Sequence, residues 1–390
     1  MKIIYVSSLC TPEKFNSVFT DLKYAPGQQI QKYHTLLAEG FVANGADVET
    51  VSALQVTRKN YSGRYIKGAS EIRNGVKYNY LPIINLPVIK RLVITVSAFF
   101  KTLALCKKDR DAVIIADVLN ISVAAGARFA LYFRKRKNVG IVTDLPDLLS
   151  QRGKKFSAKI NNALMNSFRY YVFLTEKMSK VVKCRPGDYV VIEGQTDINM
   201  HNREIDVKDK YDKKICIYAG TLQKRFGMDY LIEGFAKACV ENAELRIYGS
   251  GSYLDDVKEY CKKFPSIKYM GVKPNAEIVE EELKASLLVN PRHSTGEYTE
   301  YSFPSKNLEY MVSGTPVLTT ELAGMPDEYK DYVFLIKDET SDGIAQDFRD
   351  ILSQTPEELH AFGVRAKEFV LREKNNVIAA KKIMELTSNG

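Results

Sequence analysis

The 390-residue chain has no CxxC pair and no cysteine–histidine spacing suited to zinc; its six cysteines, Cys10, Cys106, Cys184, Cys216, Cys239 and Cys261, are scattered. That excludes a disulfide framework and a structural zinc module, and fits reduced thiols of a cytoplasmic protein. Low-complexity tracts and internal repeats are absent, which removes repeat arrays from consideration. No apolar run reaches the roughly 20 residues of a membrane-spanning helix. Segment 92–100 is far too short, and the run from Ala112 is interrupted by Asp117, Asn120 and Arg128. The opening Met1-Lys-Ile-Ile-Tyr-Val-Ser-Ser8 is too short for a signal-peptide core and reads as a first strand, so secretion is not expected. The GxGxxG fingerprint is also missing. Gly249-Ser-Gly251 follows an expected strand, but the third glycine position is Leu254, which argues against a nicotinamide-dependent oxidoreductase.

What is present is a chain 45% hydrophobic and 26% charged, too large for one ordinary core and best divided into two domains. Its net charge of +9 is uneven: residues 1–200 carry 30 Lys+Arg against 15 Asp+Glu, whereas residues 201–390 carry 26 against 32. Basic clusters stand at Lys90-Arg91, Lys107-Lys108-Asp-Arg110 and Arg134-Lys-Arg-Lys137, beside apolar segment 92–100. An anionic membrane surface attracts such a face at about 1 kcal/mol per cation; a merely solvated face is the plain alternative. Nucleic acid is not the expected partner, because no helix-turn-helix, zinc finger or RNP-like aromatic pattern accompanies the charge.

Short apolar strands alternate with amphipathic helices throughout, the pattern of parallel α/β sheets. Strands are expected at 2–7, 48–51, 77–82, 112–116, 139–143, 171–174 and 189–192, then at 214–219, 245–248, 267–270, 287–290, 316–320 and 333–336. The polar stretch 198–212 reads as a linker between a domain spanning 1–197 and another spanning 213–370. A final helix, 355–386, is expected to carry residues 371–390 back across the junction. Ligands of open α/β sheets bind outside the carboxyl ends of the strands, and each motif below follows a strand.

In Tyr301-Ser-Phe-Pro-Ser-Lys-Asn-Leu-Glu-Tyr-Met-Val-Ser-Gly-Thr-Pro-Val317, Pro304 suits a first helical position and Gly314 with Pro316 ends the helix. Lys306 therefore falls in the first turn, where the helix already carries partial positive charge, and a phosphate would resolve the conflict. Gly220-Thr-Leu-Gln-Lys-Arg-Phe-Gly227 is a glycine-bounded loop that sets Lys224 and Arg225 just before a helix running to Val240. Two such helix starts suggest a ligand with two adjacent phosphates, such as a nucleotide diphosphate sugar. Arg292, after the strand 287–290, pairs with phosphate or with a carboxylate, phosphate being the favoured reading. Gly249 begins a tight turn, and Gly271-Val272, after the strand 267–270, joins the donor-contacting set. Asp109-Arg-Asp111 precedes a strand among lysines and reads as a solvated turn, so no metal is expected. His34 lies at helical spacing with Ile30, Leu37 and Phe41; its default is a partly buried helix residue, and facing Asp144 it would orient an acceptor hydroxyl.

These motifs resemble the retaining glycosyltransferases of family 4. The resemblance covers nearly the whole length and is strongest over 215–321. It implies the GT-B fold, two Rossmann-like parallel-sheet domains facing across a cleft. It places Glu309 on the second glutamate of the family's paired-glutamate pattern, holding the donor ribose hydroxyls. The first glutamate is absent: Tyr301 stands there, and main-chain groups of Tyr301, Ser302 and Phe303 would serve the sugar side, while Ser305 joins the donor-binding set and Lys306, with Lys224 and Arg225, would neutralise the leaving diphosphate. The Phe303-Pro-Ser-Lys306…Glu309-Tyr310 version is similar to that of polysaccharide-assembly members. Lys224 or Arg225 corresponds to the family's diphosphate-binding basic pair, in a loop that also brings Gly220 and Thr221. Gly27, after the long loop 9–26, corresponds to the glycine that lets backbone approach the donor phosphate. Thr143 replaces a histidine common in relatives, so only Asp144 carries over there.

The expectation is transfer of a hexosyl group from a UDP- or GDP-type sugar, with retention, to a saccharide or lipid-linked acceptor of envelope or capsule synthesis. The enzyme would be cytoplasmic, peripheral on the inner membrane face, and without a cofactor. The rivals are a nucleotide-sugar epimerase of the same fold and a non-catalytic nucleotide-binding membrane adaptor.

Overall fold

The computed structural model describes residues 1–20, 26, 28–145, 155–203 and 205–388. Two compact units emerge, one built from residues 1–195 with 376–390 and the other from 196–375.

In the first unit the chain runs β1 (Lys2–Ser7), α1 (Pro12–Val18), α2 (Gln28–Ala43), β2 (Asp47–Ser52), β3 (Tyr65–Ile66), β4 (Ala69–Arg73), β5 (Val76–Tyr80) and β6 (Ile83–Ile84). It continues through α3 (Pro87–Lys108), β7 (Val113–Asp117), α4 (Ile121–Phe133), β8 (Asn138–Val142), α5 (Lys155–Met165), β9 (Tyr170–Phe173) and β10 (Tyr189–Val191). Eight strands form a sheet ordered β10-β9-β8-β7-β1-β2-β5-β4, parallel except for the edge strand β4. β1 and β7 are buried along almost their whole length, as strands covered on both faces must be. From β1 the chain first builds toward β2 and β5 and then returns to place β7 on the other side, so the reversal of strand order lies between β1 and β7. The antiparallel β4 and the small β3-β6 pair were not expected from the sequence; the exposed, polar Ala69–Arg73 carries no apolar strand pattern. The loop expected over 9–26 contains α1, capped by Thr11.

The second unit runs β11 (Lys214–Ala219), α6 (Met228–Ala238), β12 (Ala243–Tyr248), α7 (Leu254–Lys263), β13 (Ile267–Gly271), α8 (Asn275–Lys284) and β14 (Leu287–Asn290). It then adds α9 (Ser305–Met311), β15 (Val317–Thr319), β16 (Phe334–Leu335), α10 (Ser341–Leu352) and α11 (Pro356–Glu373). Its six strands are ordered β13-β12-β11-β14-β15-β16, all parallel, with the reversal between β11 and β14. Period-two alternation splits β11 between two cores: Cys216 and Tyr218 join Leu231, Phe235 and Phe348 on one face, while Ile215, Ile217 and Ala219 join Leu308, Met311 and Phe369 on the other.

The segment expected as a linker lies within the second unit and carries two short 3-10 turns, Ile198–Asn202 and Val207–Asp209. Its Lys210 ammonium donates to the Ala285 carbonyl and the Thr315 hydroxyl, and burial pulls its pKa down to about 8. A lysine whose folded pKa is depressed binds fewer protons folded than unfolded between pH 8 and 10.5, so stability rises with pH across that window. Urea unfolding of the full chain is expected to show a gain of about 1–3 kcal/mol there, absent from Lys210→Met.

One helix was expected over 355–386; there are two. After α11 the backbone leaves helical geometry at Lys374, and α12 (Asn376–Ser388) belongs to the first unit. At the break Thr196 donates its N–H to the Lys374 carbonyl and pairs with Asn375 as an isolated parallel bridge. Asn376 Nδ2 then donates to Leu36, Asn44 Nδ2 donates to Val377, and a Cβ on Gly40 would lie 2.1 Å from the Asn376 carbonyl oxygen, so α12 lies directly against α2.

Candidate donor site

The reversal between β11 and β14 leaves a crevice outside their carboxyl ends, the usual place for a ligand of such a sheet. The loop after β11 tightens into a 3-10 turn, Lys224–Phe226, and ends at Gly227 with φ +76°. A Cβ at Gly227 would sit 1.5 Å from the Pro291 carbonyl oxygen, so only glycine lets this loop lie against the one following β14. Tyr230 clamps the same carbonyl with its hydroxyl at 2.6 Å.

This contact gathers charge. The guanidiniums of Arg225 and Arg292 each lie 4.9 Å from the centre of the Phe226 ring, so two cations from two loops share one aromatic scaffold. Lys224 is exposed and lies 3.6 Å from Asp229. Beneath them Tyr218, whose hydroxyl donates to the Thr221 carbonyl, has its pKa pushed up to about 12 by burial, with Arg292 opposing the rise. His293 follows Arg292 and stands between Asp229 at 3.6 Å and Glu339 at 3.4 Å, and Glu339 also accepts the Ser294 N–H. Gly220 donates its N–H to Tyr248, and Gly249 at φ +127° donates to Gly271. A Cβ on Gly249 would lie 1.8 Å from the Gly220 carbonyl oxygen, so the loops after β11, β12 and β13 are packed backbone to backbone.

Lys306 falls in the first turn, as expected, but its surroundings differ from the expected ones. α9 has only seven residues and Pro304 is its cap rather than its first residue. The cation is matched by protein carboxylates rather than awaiting an anion: Lys306 Nζ lies 3.2 Å from Glu282 Oε1 and donates to Glu309 Oε2 at 3.2 Å. Burial alone would lower its pKa, but the two carboxylates outweigh that and hold it above its ordinary value. The ammonium also sits 5.0 Å from the Tyr310 ring centre, and the Tyr310 hydroxyl accepts the Ala219 N–H at 2.9 Å, tying α9 to the end of β11. Asn307 takes a hydrogen bond from Asn290 and gives one to Thr319, fixing α9 to β14 and β15.

The structure therefore brings Gly220, Thr221, Lys224, Arg225, Gly249, Gly271 and Arg292 into adjoining loops and anchors Lys306 with Glu309 beside them. Tyr301 and Ser302 are half-buried ahead of α9, and the Ser302 hydroxyl oxygen is buried without a hydrogen-bond partner among the described residues. Phe303 points into the core against Tyr329, while Ser305 and Val272 are exposed. Gly27 lies outside the described residues. Asp144 and His34 belong to the first unit. Burial pushes the Asp144 carboxyl up, partly offset by the Leu145 N–H it accepts. His34 is buried, with Nδ1 2.7 Å from the Tyr5 hydroxyl and Nε2 3.5 Å from Asp117, at the reversal between β1 and β7. Asp109 and Asp111 form a local turn, the Asp109 carboxylate accepting the Asp111 N–H. Sequence reasoning missed Phe226, Glu282, Tyr310 and Asp117; each has a partner on another element, respectively Arg292, Lys306, Ala219 and His34.

Residues 201–369, nearly all of the second unit, match the family model for glycosyl transferases group 1. Over these residues the second unit is a group 1 glycosyl transferase domain. No curated protein sequence matches it. Solved structures similar to the whole chain include HepE of Anabaena in complex with UDP, at TM-score 0.67 and 14% identity with 100% of each chain covered. A glycosyltransferase from Rickettsia africae reaches 0.68 at 12% identity, covering 100% of this chain and 97% of that one. Sucrose-phosphate synthase from Thermosynechococcus elongatus reaches 0.66 at 15%, covering 100% and 99%. At such identities these likenesses establish the fold: the chain carries the two parallel-sheet, GT-B-type architecture.

Proposed function

We propose that the second unit holds the diphosphate of a nucleotide-activated sugar at the β11–β14 reversal, and that the chain passes the glycosyl group, with retention, to a saccharide or lipid-linked acceptor at a cytoplasmic membrane face. The observation that carries this is the pair of guanidiniums on Phe226: two cations from two loops are held at one ring, where a diphosphate would gain charge-assisted bonds from both. Arg225, Arg292 and Lys224 would stabilise the charge gathering on the leaving diphosphate, a preorganised electrostatic role. Glu309, held by Lys306, is assigned to the ribose hydroxyls. Ser302 and the neighbouring main chain are assigned to the sugar, with Gly220, Thr221, Gly249, Gly271 and Gly27 allowing close backbone approach. Asp144 is assigned to the acceptor side. HepE, solved with UDP-glucose, makes UDP and a hexose the first donor to try.

The test is calorimetry of the purified chain with UDP, GDP and ADP, followed by incubation of the bound nucleotide's sugars with saccharides and lipid extracts. Tight binding of one nucleoside diphosphate with sugar transfer supports the reading. Donor turnover without an acceptor and without hydrolysis identifies an epimerase instead. Binding of no nucleotide removes the proposal.

A further inference from the structure

The first unit has a surface that its own fold does not use. α3 is apolar on two opposite sides. Ile94, Ala98, Thr102, Leu105 and Cys106 are buried against the unit. Val88, Leu92, Val96 and Phe100, also four residues apart, face outward, with Val88 81%, Leu92 64% and Phe100 62% exposed. α4 adds Phe129, Tyr132 and Phe133, all exposed. The two helices meet at Gly126, where a Cβ would lie 2.2 Å from the Thr95 carbonyl oxygen, so their backbones touch and their outer faces adjoin. Phe99 joins the faces, its ring edge-on to Phe100 at 5.0 Å and to Phe133 at 5.7 Å.

Within the two helices and the basic tail after α4, the charge has one sign. Residues 87–108 hold five Lys/Arg and no Asp or Glu, and residues 121–137 hold another five and none. At the start of α3 a pocket is lined by Arg58, Lys90 and Arg91, beside the exposed Val88 and Leu92. Lys90 is fixed there by donating to the Val56 carbonyl.

We propose that the joined outer face of α3 and α4 lies on an anionic lipid bilayer, its aliphatic and aromatic side chains in the headgroup–acyl boundary and its cations against lipid phosphates. Among the described residues no helix is long and apolar enough to cross a membrane, so this face lies on the bilayer. Protein interfaces are depleted of lysine and of single-sign charge at their centres. An apolar stripe flanked only by Lys and Arg matches an interfacial helix, with two attractions acting together. The inference deepens the membrane placement proposed above and is independent of the donor chemistry.

The full-length protein is sedimented with vesicles of phosphatidylcholine alone and of phosphatidylcholine with a quarter phosphatidylglycerol, as wild type and as Leu92→Glu/Phe100→Glu. Both replaced side chains are exposed, so circular dichroism and the unfolding midpoint should not change. Wild type should bind the anionic vesicles at least tenfold better than the neutral ones, and the variant should lose at least tenfold. Equal binding by the two proteins, or no binding by wild type, overturns the proposal. So does loss of vesicle binding coupled to a wild-type dimer that the variant dissolves, which would assign the face to a second copy. UDP calorimetry on the same samples separates the readings: vesicle binding without UDP binding removes the donor site alone.

Discussion

Lys306→Met is expected to destabilise the second unit by about 3–5 kcal/mol, the order of cost for removing one member of a buried ion pair. The Glu282 side chain is 1% exposed and that of Lys306 18%, so neither charge can turn to water without rearranging α8 and α9. Glu282→Gln should cost less, because Lys306 keeps Glu309, and the double variant should cost much less than the sum of the singles. Urea unfolding of the full chain reads all three; additive losses would show that the pair is not coupled. The pH dependence has a fixed sign. A lysine whose folded pKa is raised contributes its full stability below the ordinary value of 10.5 and loses it only as pH climbs through the folded value. Between pH 6 and 10 the effect of Lys306→Met should therefore stay constant, unlike that of Lys210→Met.

Arg225→Ala and Arg292→Ala are each expected to weaken UDP binding by about 1.5–3 kcal/mol, roughly ten- to 150-fold, and together to bring it below detection. The two side chains come from different loops and meet only because Gly227 admits the Pro291 carbonyl, so both losses should also appear in Gly227→Ala. Lys224→Ala should do less, since its ammonium is exposed and already faces Asp229. Calorimetry on variants with unchanged circular dichroism decides. Retention of wild-type affinity by the double variant would remove Phe226 and its two cations from the site, whatever the protein's activity.

Strands such as Lys2–Ser7 and Leu287–Asn290 are readable from sequence because buried parallel strands are continuous apolar runs. The strand order is not, and it decides which loops adjoin: nothing local in Gly220-Thr-Leu-Gln-Lys-Arg-Phe-Gly227 says that Pro291 will fill the space at Gly227. Lys306 illustrates the opposite error. The conflict between a lysine and a helix start was real, but its resolution, Glu282, sits on another helix and is invisible to local reasoning. The break at Lys374 carries neither glycine nor proline, and the amphipathic pattern continues across it. What stops the helix is the pairing with Thr196, nearly two hundred residues away.

That crossover gives residues 1–195 a hidden dependence on the segment that follows Asn375. Because α12 is packed on α2 through Asn376, Asn44 and the space left by Gly40, a premature stop or a protease clip just after Asn375 would spare the domain that precedes it and strip the first domain of one wall. On the ribosome, the unit translated first is therefore completed only after the unit of residues 196–375 has been made.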